Sequence, residues 1–260
     1  FTFITFICLP PIEKTKETLM TKKNIIILGG TGAIGSSLAK QIKNLNYNPI
    51  LVARDKTNLE KISRQLDCEY FECDVLDSEK LKTTINNLDK SIYGLAYCVG
   101  SINLKPFKLT KDSDFIESFK INTLGAINAI KAAQSSLLTN SGSILLFSTI
   151  AVKQGFVNHS VISSAKGAIE GLTLSLAAEF SPLIKVNCIA PSLTYSKMSE
   201  NLVKNENIKK AIEGMHPIPK IGTGEDFSYI GSHLLTDQNK WITGQIFHID
   251  GGRSSLRVRS

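Results

Sequence analysis

Apolar and polar positions alternate between two rhythms along the chain. Short apolar runs rich in β-branched residues read as buried strands: NIIIL (24–28), PILV (49–52), GLAYCV (94–99), GSILLF (142–147), KVNCIA (185–190) and GQIFHI (244–249). CEYFE (68–72) is a third strand, less apolar than the others. Between the runs the spacing turns helical, from the glycine turn at 29–35 to about Leu45, then over 55–66, 78–88, 112–138 and 159–180. Looser helical pieces fall near 199–213 and 225–235. Continuous apolar strands separated by helices predict a doubly wound α/β fold: a parallel sheet of about seven strands with helices on both faces. Within the pattern at 159–180, one isolated lysine, Lys166, is flanked by Ser163, Ser164, Ala165, Gly167 and Ala168. Small neighbours allow close approach, and His159, Ile162 and Ser163 share its helix face.

Composition narrows the partners. Of 260 residues, 42% are hydrophobic, ample for a core, and no linker tract or repeat divides them, so one domain over 20–260 is expected. The formal charge of +7 comes from scattered residues, apart from Arg253, Arg257 and Arg259 in the tail. Scattered lysines read as a solvated surface, so no nucleic-acid partner is expected. The cysteines Cys8, Cys68, Cys73, Cys98 and Cys188 are odd in number and form no CxxC pair. That disfavours a disulfide framework or a metal site and points to reduced thiols in the cytoplasm. FTFITFICLPP is too short to span a bilayer and lacks a basic leader, so no membrane partner is expected. Residues 1–19 are expected to be a disordered extension, with Met20 resembling a start.

The first turn carries chemistry. Gly29, Gly30, Gly32 and Gly35 lie between a strand and a helix, where backbone N–H groups and the positive helix end receive a phosphate. Gly29 permits the tight turn, Gly35 lets helix and strand pack closely, and Thr31 offers a hydroxyl. In this position the turn predicts a Rossmann-like dinucleotide site. The second strand ends in Ala53-Arg54, with no acid for the adenosine ribose. A cation there suits a 2′-phosphate, hence NADP over NAD. Asp74-Val75, after the third strand, is placed to hold the adenine edge.

With these pieces in order, residues 23–252 resemble the short-chain dehydrogenase/reductase family, most of all its 3-oxoacyl-carrier-protein reductases and carbonyl reductases. GGTGAIG, with Gly29, Thr31, Ala33, Ile34 and Gly35, matches the family's cofactor loop, Ala33 standing for a glycine. Asp74-Val75 matches its adenine contact. Tyr97-Cys98-Val99-Gly100 stands for its Asn-Asn-Ala-Gly motif and keeps only Gly100. Asn122 matches the asparagine that holds a catalytic water. Pro191-Ser192 matches the nicotinamide-side Pro-Gly turn, and Thr194 and Ser196 could hold the carboxamide. ITGQIFHIDGG (242–252) matches the last strand and turn. The resemblance implies an NADP-dependent oxidoreductase acting on a small carbonyl or alcohol, and a homotetramer or homodimer.

The departure falls on the family's Tyr-x-x-x-Lys motif. Lys166 matches the lysine, with an expected bond to the nicotinamide ribose, but Ile162 stands where the tyrosine belongs. Thirteen residues before it, Thr149 takes the family serine's place, next to Ser148. Tyrosine, with a pKa of about 10, is tuned by the lysine to donate the proton that the alkoxide needs. Isoleucine cannot, and such acid catalysis is worth about 10²–10⁴-fold. His159, Ser163 and Lys166 are the conceivable substitutes. The alternatives to an oxidoreductase with an altered acid are a non-catalytic NADP-binding sensor or scaffold, and a non-redox lyase or isomerase. The loop 192–225, with Tyr195, Met198, Met215, His216 and Pro217, is expected to cover the pocket.

Overall fold

The computed structural model describes residues 22–88 and 91–258; the expected extension at 1–19 lies outside them. The strands are β1 (Asn24–Leu28), β2 (Asn48–Ala53), β3 (Glu69–Glu72), β4 (Ile92–Tyr97), β5 (Ser143–Phe147), β6 (Lys185–Pro191) and β7 (Ile246–Ile249). They form one sheet in the order β3-β2-β1-β4-β5-β6-β7, parallel throughout. The helices are α1 (Ala33–Asn44), α2 (Lys56–Leu66), α3 (Ser78–Asn86), α4 (Asp112–Phe119), α5 (Gly125–Thr139), α6 (Ser160–Phe180), α7 (Glu200–Val203), α8 (Glu206–Gly214) and α9 (Gly224–Leu235).

The pleat of β1 divides the core. Ile25 and Ile27 pack with Leu38 of α1, Leu59 of α2 and Phe227 of α9 on one face. Ile26 and Leu28 pack with Leu81 of α3, Ala129 of α5 and Ile169 of α6 on the other. Both faces are therefore covered, and the strands need the continuous apolar runs seen in the sequence. The sequence order reverses between β1 and β4, so their C-terminal ends open the crevice where open α/β sheets bind ligands.

Two of the differences from the sequence expectation bear on the site. β4 begins at Ile92, where the Ser136 hydroxyl accepts the Ile92 amide at 2.7 Å, and ends at Tyr97, so Cys98 and Val99 belong to the loop. The helix expected over 112–138 is broken: Lys120–Leu124 forms a π-helical turn between α4 and α5. Asn122 sits in that turn, fully buried. π-turns are rare single turns inside α-helices, frequent at functional sites. Here the Tyr97 hydroxyl donates to the Ile121 carbonyl at 2.6 Å, and Thr123 Oγ1 donates to the Ala165 carbonyl at 2.9 Å.

Candidate active site

The turn after β1 has the geometry its glycines demand. Gly29 takes φ +79°, and a Cβ there would stand 2.8 Å from the Cys98 carbonyl carbon. A Cβ on Gly35 would run into the Gly29 carbonyl oxygen. Gly32 is the N-cap of α1 and provides no side-chain cap, so the first N–H groups of the helix are left for a ligand. Thr31 lies on this turn, half-buried, and Ala33 and Ile34 open α1. At the end of β2, exposed Arg54 pairs with Asp74 at 3.6 Å. Asp74 Oδ1 accepts the Leu76 amide at 3.0 Å, and the Val75 side chain is buried against Gly125.

Beyond β4 a cleft of about 500 Å³ opens, lined by Gly32, Ala33 and Ile34 at one end. Gly100, Asn122, Thr149, His159, Ile162, Lys166, Pro191, Thr194 and Ser196 line the remainder with their neighbours. Lys166 is 7% exposed and donates from Nζ to the Phe147 carbonyl at 2.8 Å. Burial lowers its pKa to about 8, against a smaller upward pull from Cys188 and Cys98. Space at Gly100 is tight: a Cβ there would lie 3.1 Å from Asn122 Oδ1, which would have to give by a few tenths of an ångström, and in ordinary contact with Lys166 Nζ at 3.6 Å. Asn122 is held from both sides. Its Oδ1 accepts the Ser101 amide at 3.2 Å, and its Nδ2 donates to the Ser118 carbonyl at 2.9 Å.

The hydroxyls sort by direction. Thr149 Oγ1 accepts only a long bond from the Ala151 amide at 3.3 Å and lines the cleft. Ser148 Oγ is engaged with Glu170 at 2.7 Å. Ser163, a conceivable proton donor by sequence, gives its hydroxyl to the Ala151 carbonyl at 3.0 Å and does not line the cleft. Thr194 Oγ1 donates to the Ser192 carbonyl at 3.0 Å, and Ser196 Oγ meets Ser199 Oγ at 3.3 Å.

His159 is the N-cap of α6 without a side-chain cap bond. Its Nδ1 lies 2.8 Å from the Val157 carbonyl, which can only accept, so Nδ1 carries a proton and Nε2 remains available. Ile162 is 4% exposed and forms part of the cleft wall one helical turn before Lys166. Tyr97 does not face the cleft. Its ring is buried, its hydroxyl is taken by the π-turn, and it fills the space left by Gly125. The sequence did not single out the Ser192–His216 pair (Oγ to Nε2, 2.8 Å), because its members are twenty-four residues apart. Of the loop expected over the pocket, Ser192, Leu193, Thr194, Ser196, Met198, Ser199, Ile212 and Met215 line the cleft, whereas Tyr195, His216 and Pro217 do not.

A family model described as enoyl-(acyl carrier protein) reductase matches residues 30–254. The chain belongs to the short-chain dehydrogenase/reductase family. It is 28% identical to a 3-oxoacyl-[acyl-carrier-protein] reductase of Mus musculus, over 87% of this chain and 95% of that one. A tropinone reductase homologue of Arabidopsis thaliana is 30% identical, over 88% and 92%. Among solved structures, ElxO with NADP bound superposes with a TM-score of 0.84 at 28% identity, covering 91% of this chain and all of that one. A variant of ElxO with phenylalanine in place of one tyrosine was solved with NADPH bound. Membership makes the chain an oxidoreductase by family. Among the described residues no helix is long and apolar enough to cross a membrane. No cluster of three His, Cys, Asp or Glu residues that could hold a metal occurs among them.

Proposed function

We propose that the protein is an NADP-dependent oxidoreductase that interconverts a small carbonyl compound and its alcohol, using an acid other than tyrosine. The observation that carries this reading is the placement of Lys166, Asn122, Gly100 and Thr149 on one cleft at the strand-order reversal of the sheet. The chain fits the cofactor. The uncapped start of α1 and the Cβ-free crossing of Gly29 and Gly35 leave room for a pyrophosphate, and Arg54 suits a 2′-phosphate. Asp74-Val75 would take the adenine edge, with Pro191, Thr194 and Ser196 toward the nicotinamide. NADP bound in ElxO supports the same choice.

When bound, NADPH supplies the hydride. Thr149 would then donate a hydrogen bond to the substrate oxygen, and the Lys166 ammonium would hold the nicotinamide ribose and stabilise the developing alkoxide. Asn122 positions water beside Lys166. His159 delivers the proton from Nε2, the ring nitrogen that makes no bond among the described residues. The test is a titration of NADPH against NADH followed by NADPH oxidation over a panel of ketones, aldehydes and enones. Tight NADPH binding without turnover of any member rejects the reading.

Ile162 favours a second reading, in which NADP binds without chemistry and the protein is a sensor or scaffold. Turnover abolished by Lys166→Ala would reject that one. A cytoplasmic homotetramer or homodimer belongs to the main proposal by family analogy, and light scattering of the purified protein tests the assembly.

A further inference from the structure

The end of the cleft away from the glycine turn has apolar walls that include Ile102, Leu104, Phe156, Leu193, Ile212 and Met215. Arg253 interrupts them. It follows the turn at 250–252, where the Asp250 carboxylate accepts the amides of Gly252 at 2.9 Å and Ser254 at 2.8 Å. Those bonds fix the backbone that carries Arg253, and the Asp250 carboxylate attracts its charge only from beyond ion-pair distance. The guanidinium carbon stands 4.7 Å from the centre of the Phe156 ring, and Nη2 lies 3.4 Å from Met215 Sδ. A ring face and a thioether hold a guanidinium in place but leave most of its five N–H donors unused.

Among the described residues no carboxylate comes within ion-pair distance of Arg253. No Asp or Glu lines the cleft at all, while Lys166 and Arg253 both do. A half-buried, always charged fork among apolar walls is complementary to an oxyanion at the end of a hydrocarbon chain.

We propose that Arg253 clamps a carboxylate or phosphate carried on an apolar chain lying in this cleft and, resting on the oxidoreductase reading, that this ligand is the carbonyl substrate. Phe156 and Met215 aim the guanidinium, and the walls receive the chain.

The test is calorimetry of the full chain with NADPH present, using hexanoate, hexyl phosphate and hexanamide as probes. At least one anion is expected to bind about tenfold or more tightly than the amide, the scale of a charge-assisted bond. Whichever anion is tighter names the group. Arg253→Met is expected to bring the anions down to the amide, with NADPH affinity unchanged as the check on folding, and Arg253→Lys to recover part of the difference. Equal affinity for anion and amide, or anion binding untouched in Arg253→Met, overturns the clamp. Turnover of 3-oxohexanoate is measured in parallel. Arg253-dependent anion binding without turnover of this or any other carbonyl rejects the oxidoreductase reading and leaves the clamp standing.

Discussion

In the reaction proposed above, single side chains at Ile162 and Thr149 decide the chemistry. Ile162 occupies the cleft wall one turn before Lys166, so Ile162→Tyr brings a phenol toward the lysine without moving the helix. NADPH oxidation with a ketone is expected to rise at least tenfold, a conservative part of the 10²–10⁴-fold typical of acid catalysis. An unchanged rate would show that the pocket has diverged beyond this residue. Thr149→Ala removes a hydroxyl whose only protein bond is long. It is expected to lower kcat/KM about 10²-fold with NADPH affinity preserved, the scale of losing one donor to a developing oxyanion. Unaltered kinetics would make Thr149 a structural residue. At this scale the sequence was informative where a motif fixed spacing, as for Lys166 and Asn122. It was silent where direction mattered. Ser163 and Thr149 are both hydroxyls, but one is spent on the Ala151 carbonyl and the other opens to the cleft.

Strands and most helices were legible because burial on two faces forces continuous apolar runs and a 3.6-residue period. The π-turn at Lys120–Leu124 was not legible. One extra residue in a turn barely disturbs that period, and the groups that stabilise it, Tyr97 and Ala165, lie far away in the chain. The glycine turn was legible because its needs are local: a positive φ at Gly29 and a bare Cα at Gly35. Gly35→Val sets a branched side chain against the Gly29 carbonyl. The variant is expected to lose at least tenfold in NADPH affinity, read by fluorescence titration, and to unfold at lower urea. Wild-type affinity would mean that helix α1 does not need its close approach to β1.

Across the whole molecule, the buried lysine couples the site to stability. A lysine whose pKa falls from about 10.5 unfolded to about 8 folded resists protonation in the native state. Its burial therefore costs stability fully below pH 8, and the cost fades as pH rises toward the unfolded value. The difference in unfolding free energy between wild type and Lys166→Met is expected to shift by about 2 kcal/mol toward wild type between pH 8 and pH 10. Subtracting the variant cancels the thiols and phenols that do not interact with Lys166; Cys98 and Cys188, which do, are pushed up to about 12 by burial, above this range. A difference that stays flat across urea unfolding at both pH values would show that Lys166 is charged and solvated in the folded protein. The overall architecture was readable from alternation alone, whereas the exposed or buried state of this one charge depended on which strands closed over it.

The contact between Tyr97 and Gly125 makes the two positions mutually conditional. A methyl group at 125 collides with the phenol oxygen of 97, and without that oxygen the nearest ring atom is 3.2 Å away. Gly125→Ala is thus expected to be severely destabilising alone and much milder in a Tyr97→Phe background, a coupling that a double-mutant cycle reads directly. Substitution history has an order here: alanine at 125 becomes accessible only after the hydroxyl at 97 is gone. Any effort to graft the family's usual asparagine at 97 must therefore refill the space beside position 125 at the same time.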